Sequence, residues 1–125
     1  MPARSRRPSR IPGEAWIDEV IQYIRTNLQG DLSLAALAQA GCSSPWHLHR
    51  NFKQQTGLTP QQFVRQQRIR LAEQLLLETT SSVATVGGQA GFHGTAHFMN
   101  CFRKEAGCTP VQFRKQKLAE AAQRR

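Results

Sequence analysis

The sequence contains no run of eighteen apolar residues, so it predicts no membrane-spanning helix. Its 3 cysteines, Cys42, Cys101 and Cys108, are odd in number and form no Cys-x-x-Cys pair. A disulfide framework is therefore not indicated, which agrees with a reducing cytoplasm. The opening segment carries Arg and Pro without the apolar stretch of a signal peptide. We expect residues 1–13 to form a disordered basic tail or linker.

The residues that build an active site are also scarce. Only 8 side chains are acidic, and no two carboxylates stand in a pattern that indicates acid–base catalysis. Ser44 and His47 are close in sequence, but Ser44 is needed as a helix cap and no acid lies nearby to orient the imidazole. His93, His97 and Cys101 recur at a spacing that can hold a metal on a helix, although a packing or backbone-bonding role is favoured. We expect no enzyme, no metal and no cofactor.

The feature that is present and most informative is an internal repeat. From Ala40 to Phe63 the chain matches itself at a constant offset of 50 residues, without a gap. The identical pairs are Ala40/Ala90, Gly41/Gly91, His47/His97, Phe52/Phe102, Gly57/Gly107, Thr59/Thr109, Pro60/Pro110, Gln62/Gln112 and Phe63/Phe113. A repeat of this length indicates two copies of one supersecondary unit.

Capping residues and the spacing of apolar side chains predict about seven helices and no strand, which is an all-α fold. The predicted helices are 14–28, 34–40, 45–56, 60–78, 83–90, 95–106 and a last one that begins at Pro110. In each copy of the repeat, a short helix, a turn that contains Gly and a second helix make a helix-turn-helix pattern.

The helix predicted over residues 60–78 lies between the two copies. Thr59 and Gln62 form a capping box, and Pro60 suits the first helical position. Apolar residues lie towards both ends and the middle is polar, which indicates a helix that bridges two small bodies. At 1.5 Å per residue it is about 28 Å long, close to the roughly 34 Å of one DNA turn. The predicted organisation is a first helix-turn-helix subdomain 14–58, a linker helix 59–78, a second subdomain 79–114 and a basic tail 115–125.

Charge indicates the kind of partner. The formal net charge is +9, which favours a polyanion. The charged residues are also segregated, since residues 44–70 contain Arg and Lys but no acid, whereas residues 14–31 contain four acids and one Arg. A basic face that lies opposite an acidic one is stronger support for a polyanion than the total charge.

The second helix of the first copy carries side chains that can contact DNA. One predicted face holds Trp46, His49, Arg50 and Lys53, while Leu48 and Phe52 are expected to be buried. Arg50 can bond the O6 and N7 atoms of guanine, and Trp46 can pack on sugars or a thymine methyl. Two alternatives stay open: Trp46 as half-buried core, and Arg50 as a solvated charge.

The equivalent face in the second copy is less polar. It holds Thr95, Ala96, Met99 and Asn100. Asn100 can bond adenine, and Thr95 and Ala96 can contact a thymine methyl. We expect this helix to discriminate less between bases than the first one. The predicted phosphate contacts on both copies are Ser44, Lys53, Arg65, Arg68, Arg103, Lys104, Arg114 and Lys115.

Several motifs together resemble one protein family. They are the run from Ser44 to Lys53, Arg68, Ala72, Leu75 and Leu76, then Ala90-Gly91-Phe92, Phe98, Phe102-Arg103, Gly107, Thr109-Pro110 and Phe113-Arg114. With this spacing, residues 16–114 resemble the DNA-binding region of AraC/XylS-type bacterial transcription regulators, and are most similar to the short MarA/SoxS-like branch. The resemblance implies base contacts by Trp46, His49 and Arg50.

The sequence also departs from that family pattern. Cys42 stands where a turn glycine is usual, and Gly87 and Gly88 stand where Ala and an apolar residue are usual. In the second copy, Thr95, Ala96 and Asn100 replace two Gln and an Arg of the resembled branch. Its DNA site therefore cannot be transferred to this chain.

We expect a sequence-specific DNA-binding transcription regulator, an activator rather than a repressor on family grounds, that inserts two recognition helices into successive major grooves. The resemblance implies double-stranded DNA and RNA polymerase as partners, a cytoplasmic location at the nucleoid, and a monomer on DNA unless a further N-terminal domain dimerises it. The alternative is a helical protein-interaction module that docks RNA polymerase or a nucleoid partner and contacts DNA only non-specifically.

Overall fold

The computed structural model describes residues 14–123, which form seven α-helices and contain no strand. The all-α class predicted from the sequence is confirmed. The tail predicted for residues 1–13 lies outside the described residues. The helices are α1 Glu14–Thr26, α2 Leu34–Ala40, α3 Pro45–Thr56, α4 Pro60–Glu78, α5 Val83–Gln89, α6 Thr95–Ala106 and α7 Pro110–Gln123. Within the described range, no helix is apolar over a stretch long enough to cross a membrane.

Three helix ends differ from the prediction, and the smallest difference is at α5, which ends at Gln89 and not at residue 90. α1 ends at Thr26, because the Asn27 N–H donates to Ile24 O and the Asn27 side-chain amide donates to Tyr23 O in place of the next helical hydrogen bond. α7 continues to Gln123, so residues 115–123, predicted as part of a basic tail outside the second subdomain, are helical. No Gly or Pro follows Pro110 in α7, and Ala, Glu, Gln and Lys sustain the helix.

The chain divides into two compact units within α4, between Val64 and Arg65. In the first unit, α1, α2, α3 and the start of α4 enclose one core. Its buried members are Ile17, Val20, Ile24, Leu32, Leu37, Ala38, Leu48, Phe52, Phe63 and Val64. The rings of Phe52 and Phe63 pack edge to face, with centroids 5.5 Å apart.

The second unit has a core that is richer in aromatic rings. Its buried members are Ile69, Ala72, Leu76, Val86, Ala90, Phe92, Phe98, Cys101 and Phe102. Phe92, Phe98, Phe102 and Phe113 form a continuous series of ring contacts, with centroid distances of 5.1, 5.8 and 5.5 Å. The series connects the turn before α6 to α6 and then to α7.

The long helix α4 contributes side chains to both cores. The reciprocal bonds of its capping box are present: the Gln62 N–H donates to Thr59 Oγ1, and the Thr59 N–H donates to Gln62 Oε1. Phe63 and Val64 belong to the first core, and Ile69 is the first α4 residue of the second. The subdomain boundaries predicted at residues 59 and 79 remain a prediction.

The register of the repeat changes at the turn. The Ser43 N–H donates to Ala38 O, and the Phe92 N–H donates to Gly87 O, which pairs these residues at an offset of 49. Residues 41–44 separate α2 from α3, whereas residues 90–94 separate α5 from α6, so the second turn is one residue longer. The pairs Ala40/Ala90 and Gly41/Gly91 inferred from identity are therefore wrong by one position, although the offset of 50 holds from α3 and α6 onwards.

This shift explains which turn residues are left-handed. In the corrected register Cys42 is equivalent to Gly91, and both have positive φ, at 55° and 106°. Gly41 instead has a φ of −94°. An L-residue in the left-handed region costs about 1–2 kcal/mol, a cost that glycine does not have. Cys42 therefore occupies a strained position that the second unit fills with glycine.

We predict that Cys42→Gly raises the free energy of unfolding by about 0.5–1 kcal/mol, because relief of the left-handed strain exceeds the added chain entropy of glycine. Urea unfolding measures this change. Cys42→Ala is the matched control, since it removes the thiol but keeps Cβ, and we expect a change of less than about 0.5 kcal/mol. Equal stabilisation by both variants would point to the thiol and contradict the backbone explanation.

α4 ends without a capping glycine, and a side chain from α7 takes over that function. Arg114 donates from Nε to Leu76 O at 2.9 Å and from Nη2 to Thr79 O at 3.1 Å. These bonds satisfy carbonyl groups that a helix end leaves unpaired. Arg114 thus ties α7 to the end of α4, a role that its sequence neighbourhood does not indicate.

We predict that Arg114→Ala lowers the free energy of unfolding of the second unit by about 1–3 kcal/mol, because two charge-assisted hydrogen bonds at a partly buried site are lost. Lys115→Ala, an exposed cation on the same helix, is the control and should change stability by less than about 0.5 kcal/mol. A similar loss for both variants in urea unfolding would refute the capping role.

Candidate nucleic-acid interface

Local signals fix both ends of α3. Ser44 caps its start, with Oγ accepting from the His47 N–H at 3.1 Å, and Pro45 occupies the first helical position. Gly57 ends it in the left-handed conformation at a φ of 82°. Leu48 and Phe52 are fully buried, so the opposite face of α3 points outward.

That outward face carries the predicted reading residues of the first unit. Trp46 is 69% exposed, so its interpretation as half-buried core is wrong. The Arg50 guanidinium carbon lies 5.2 Å from the centre of the Trp46 ring, which is a cation–π contact. His49 and Lys53 are exposed as well. Arg50 is therefore held against an exposed aromatic surface and is more than a freely solvated charge.

The equivalent histidines of the two units have a packing role. The His47 ring meets Trp16 of α1 edge to face at 5.6 Å, and the His97 ring meets Phe92 in the same way at 5.7 Å. Cys101 Sγ lies 3.7 Å from His97 Nε2. Within residues 14–123, no three His, Cys, Asp or Glu side chains come together as a metal site would require. The His47 and His97 rings therefore pack α3 and α6, the two helices that carry the candidate base contacts, against neighbouring residues.

The candidate face of α6 is built differently. Its N-cap is Gly94, which offers no side-chain hydrogen bond. Thr95, Ala96 and Asn100 are exposed, whereas Met99 is partly buried and packs against the second core. The exposed candidates on α6 are therefore uncharged, in contrast to the His, Arg and Lys on α3. A base contact by Met99 remains a prediction, and only part of its side chain is accessible for one.

The predicted phosphate contacts fall into two groups. Lys53, Arg103, Lys104, Lys115 and Ser44 are exposed, and Ser44 also serves as the α3 cap. The other three cations are partly buried. Arg114 caps α4, and Arg65 Nε lies 3.6 Å from Glu105 Oε2. Burial lowers the pKa of Arg68 from its usual value.

The sequence gives no signal for the Arg65–Glu105 contact, because its partners lie on different helices of the second unit. Both side chains are about one-third exposed, at 37% and 33%, so the pair contributes little to stability. Its effect is to direct the Arg65 side chain towards the last turn of α6. Phosphate contacts by Arg65, Arg68 and Arg114 remain predictions.

Comparison with known proteins shows which family the chain belongs to. The family model described as "Helix-turn-helix domain" matches residues 37–116, which is more than half of the chain. The chain belongs to the helix-turn-helix domain family of the AraC/XylS type. The resemblance seen in the sequence is thereby confirmed. In this AraC/XylS-type domain, the matched region runs from α2 into α7 and includes both helix-turn-helix units.

Individual relatives agree with that assignment. The bifunctional transcriptional activator/DNA repair enzyme AdaA of Bacillus subtilis is 30% identical over 87 residues, 68% of this chain and 41% of AdaA. The multiple antibiotic resistance protein MarA of Escherichia coli is 30% identical over 76 residues, 61% of this chain and 60% of MarA. The AraC/XylS-type domain described here therefore spans about two-fifths to three-fifths of these curated relatives.

A solved structure similar to this AraC/XylS-type domain is the DNA-binding domain of AdpA, a global transcriptional factor, in complex with a target DNA. It superimposes with a TM-score of 0.81 and 28% sequence identity, and the match covers 86% of this chain and 96% of that one.

Proposed function

We propose that this chain is a sequence-specific DNA-binding transcription regulator. The observation that carries the proposal is the exposed Trp46 side chain with Arg50 stacked on it, on a helix whose opposite face is fully buried. Full burial of a large apolar side chain stabilises a fold by about 1.5–3 kcal/mol, and exposed Trp46 does not contribute this stabilisation. Folding stability therefore does not account for its position. A flat apolar ring beside a planar cation suits the edge of a DNA base and the adjoining sugar.

The first unit would do most of the base reading. Arg50 donates two hydrogen bonds to guanine O6 and N7, and Trp46 limits the conformations from which it does so. His49, one residue before Arg50, contacts an adjacent base, and Lys53 contacts a phosphate. This assignment gives the first unit a preference for a G·C pair at the position that Arg50 meets.

The second unit would read an A·T-containing site. Asn100 pairs with adenine, and Thr95 and Ala96 contact a thymine methyl. Its exposed candidates carry no charge, so phosphate contacts come from Arg103 and Lys104 in the last turn of α6. The two recognition helices enter successive major grooves, or bend the duplex where their span is shorter than one turn.

The remaining parts of the proposal follow from the family. The chain acts as an activator that works with RNA polymerase, it is located in the cytoplasm at the nucleoid, and it binds DNA as a monomer unless a further domain dimerises it. It has no enzymatic activity of its own, although the name of its relative AdaA includes a DNA repair enzyme. Support comes from the names of the relatives, which describe activators and regulators.

We predict that Arg50→Ala weakens binding to the preferred duplex by about 1–3 kcal/mol and relaxes base preference at one position, because a bidentate contact is lost. Preferred duplexes are obtained by selection from random DNA, and affinity is then measured for the selected site and each single-base change. Arg70→Ala is the matched control, since Arg70 is also exposed but lies on α4. Equal losses on selected and random DNA would rule out base reading by Arg50.

A different pattern is predicted for the phosphate contacts. Lys53→Ala and Arg103→Ala should weaken binding to all duplexes alike and lower the slope of log affinity against log salt by about one each. The slope is obtained by titration of one duplex at several salt concentrations. Lys117→Ala on α7 is the control, as it removes an exposed cation outside the assigned contacts. An unchanged slope in Lys53→Ala would count against its phosphate contact.

The same titration separates the proposal from the protein-interaction alternative. Six or more phosphate contacts give a steep negative slope, whereas a protein interface need not depend on salt in this way. Binding without preference among duplexes, together with a shallow slope, would favour the alternative.

A further inference from the structure

Gly87 in α5 has no space for a side chain. A Cβ placed there would lie 2.7 Å from Cδ2 and 2.9 Å from Cγ of Phe98 on α6. These atoms belong to the base of a buried ring, which cannot swing away as the tip of a flexible side chain would. A Cβ on the next residue, Gly88, would meet no neighbouring atom within 4 Å, so the two adjacent glycines differ sharply.

The first unit has other residues at the two equivalent positions. Ala38 is equivalent to Gly87 because each carbonyl accepts the same turn hydrogen bond, and Leu48 is equivalent to Phe98 because each N–H donates to the residue before its helix. All four residues are buried. At the first of these positions, Ala38 of the first unit is larger than Gly87 of the second. At the other position, Leu48 of the first unit is smaller than Phe98 of the second.

Gly87 also bonds the turn that leads into α6 through its backbone. Its carbonyl accepts from the Phe92 N–H at 2.9 Å. The Phe92 ring contacts the rings of both Phe98 and His97, at 5.1 and 5.7 Å. The backbone bond is the one that Ala38 makes in the first unit, so what is particular to Gly87 is the missing Cβ, which admits the Phe98 ring of α6 against α5.

We propose that Gly87 is a positioning residue for base reading by the second unit. By admitting Phe98 it sets where α6 lies on α5, and hence where Thr95 and Asn100 meet the base edges. This inference rests on the proposed function. Opening the contact from 2.7 Å to an ordinary carbon–carbon distance requires a displacement of about 0.8 Å. That is enough to take a base contact outside the 2.7–3.2 Å range of a good hydrogen bond.

The test compares Gly87→Ala with Gly88→Ala, the same chemical change on the neighbouring residue of α5. A third variant, Gly87→Ala with Phe98→Leu, rebuilds the pair used by the first unit. Each protein is titrated with the selected duplex and with two single-base changes. One change is at the position whose preference is lost in Asn100→Ala, and the other is at the position whose preference is lost in Arg50→Ala.

We expect Gly87→Ala to reduce discrimination at the Asn100 position to less than about twofold, from the roughly five- to hundredfold that one bidentate pair provides. Discrimination at the Arg50 position should stay within about twofold, as should both values in Gly88→Ala. The double variant should recover discrimination at the Asn100 position. A purely structural role would affect both positions alike or neither, and either result would overturn the inference.

Amide chemical shifts of residues 95–106 in the DNA-free protein give a second readout. Gly87→Ala should move them and Gly88→Ala should not, and unmoved shifts in Gly87→Ala would overturn the inference. If Gly87→Ala does not fold, the double variant decides: recovery of folding and of discrimination supports the inference, and folding without discrimination opposes it. If the unaltered protein shows no base preference, the proposed function fails. The amide chemical shifts of residues 95–106 then still test whether Gly87→Ala displaces α6.

Discussion

Burial of two side chains four residues apart on each candidate recognition helix is the constraint on which both units depend. Leu48 and Phe52 on α3, and Phe98 and Phe102 on α6, are fully buried. An α-helix places residues three and four apart on one face, so fixing that face inward turns the rest outward. Trp46 lies two residues before Leu48, on the opposite side. Its exposure therefore follows from the packing of its neighbours and leaves it available to a partner.

Signals that lie close together in sequence predicted most of the fold. The bounds of α3 and α4 were predicted correctly because Ser44, Gly57 and the Thr59 capping box act within one helical turn. Contacts between distant residues were not predicted. Arg114 is 38 residues from Leu76, and no local pattern marks a guanidinium that caps another helix. The turn register was misread because identity at one offset conceals a single inserted residue.

For the candidate site, helical spacing predicted which side chains share the outward face of α3, and it could not predict what they contact. The stacking of Arg50 on Trp46 depends on side-chain conformations, and the contact of His47 with Trp16 depends on how α1 packs. Met99 was placed by spacing on the outward face, but it is long enough to reach the core. Periodicity assigns a direction to each Cα–Cβ bond, whereas the reach of a side chain is decided by its neighbours.

The two units show that one backbone pattern can be kept by different residues while the outward chemistry diverges. The first unit caps α3 with Ser44 and places strained Cys42 in its turn, whereas the second leaves α6 without a side-chain cap at Gly94 and relaxes its turn with Gly91. The two units therefore differ both in their local stabilising features and in the side chains proposed to contact bases. The unit with the strained turn has the charged, stacked reading surface. In the unit whose candidate residues on α6 are uncharged, α6 packs through close aromatic contacts, so we expect its proposed base contacts to be the more sensitive to core substitutions.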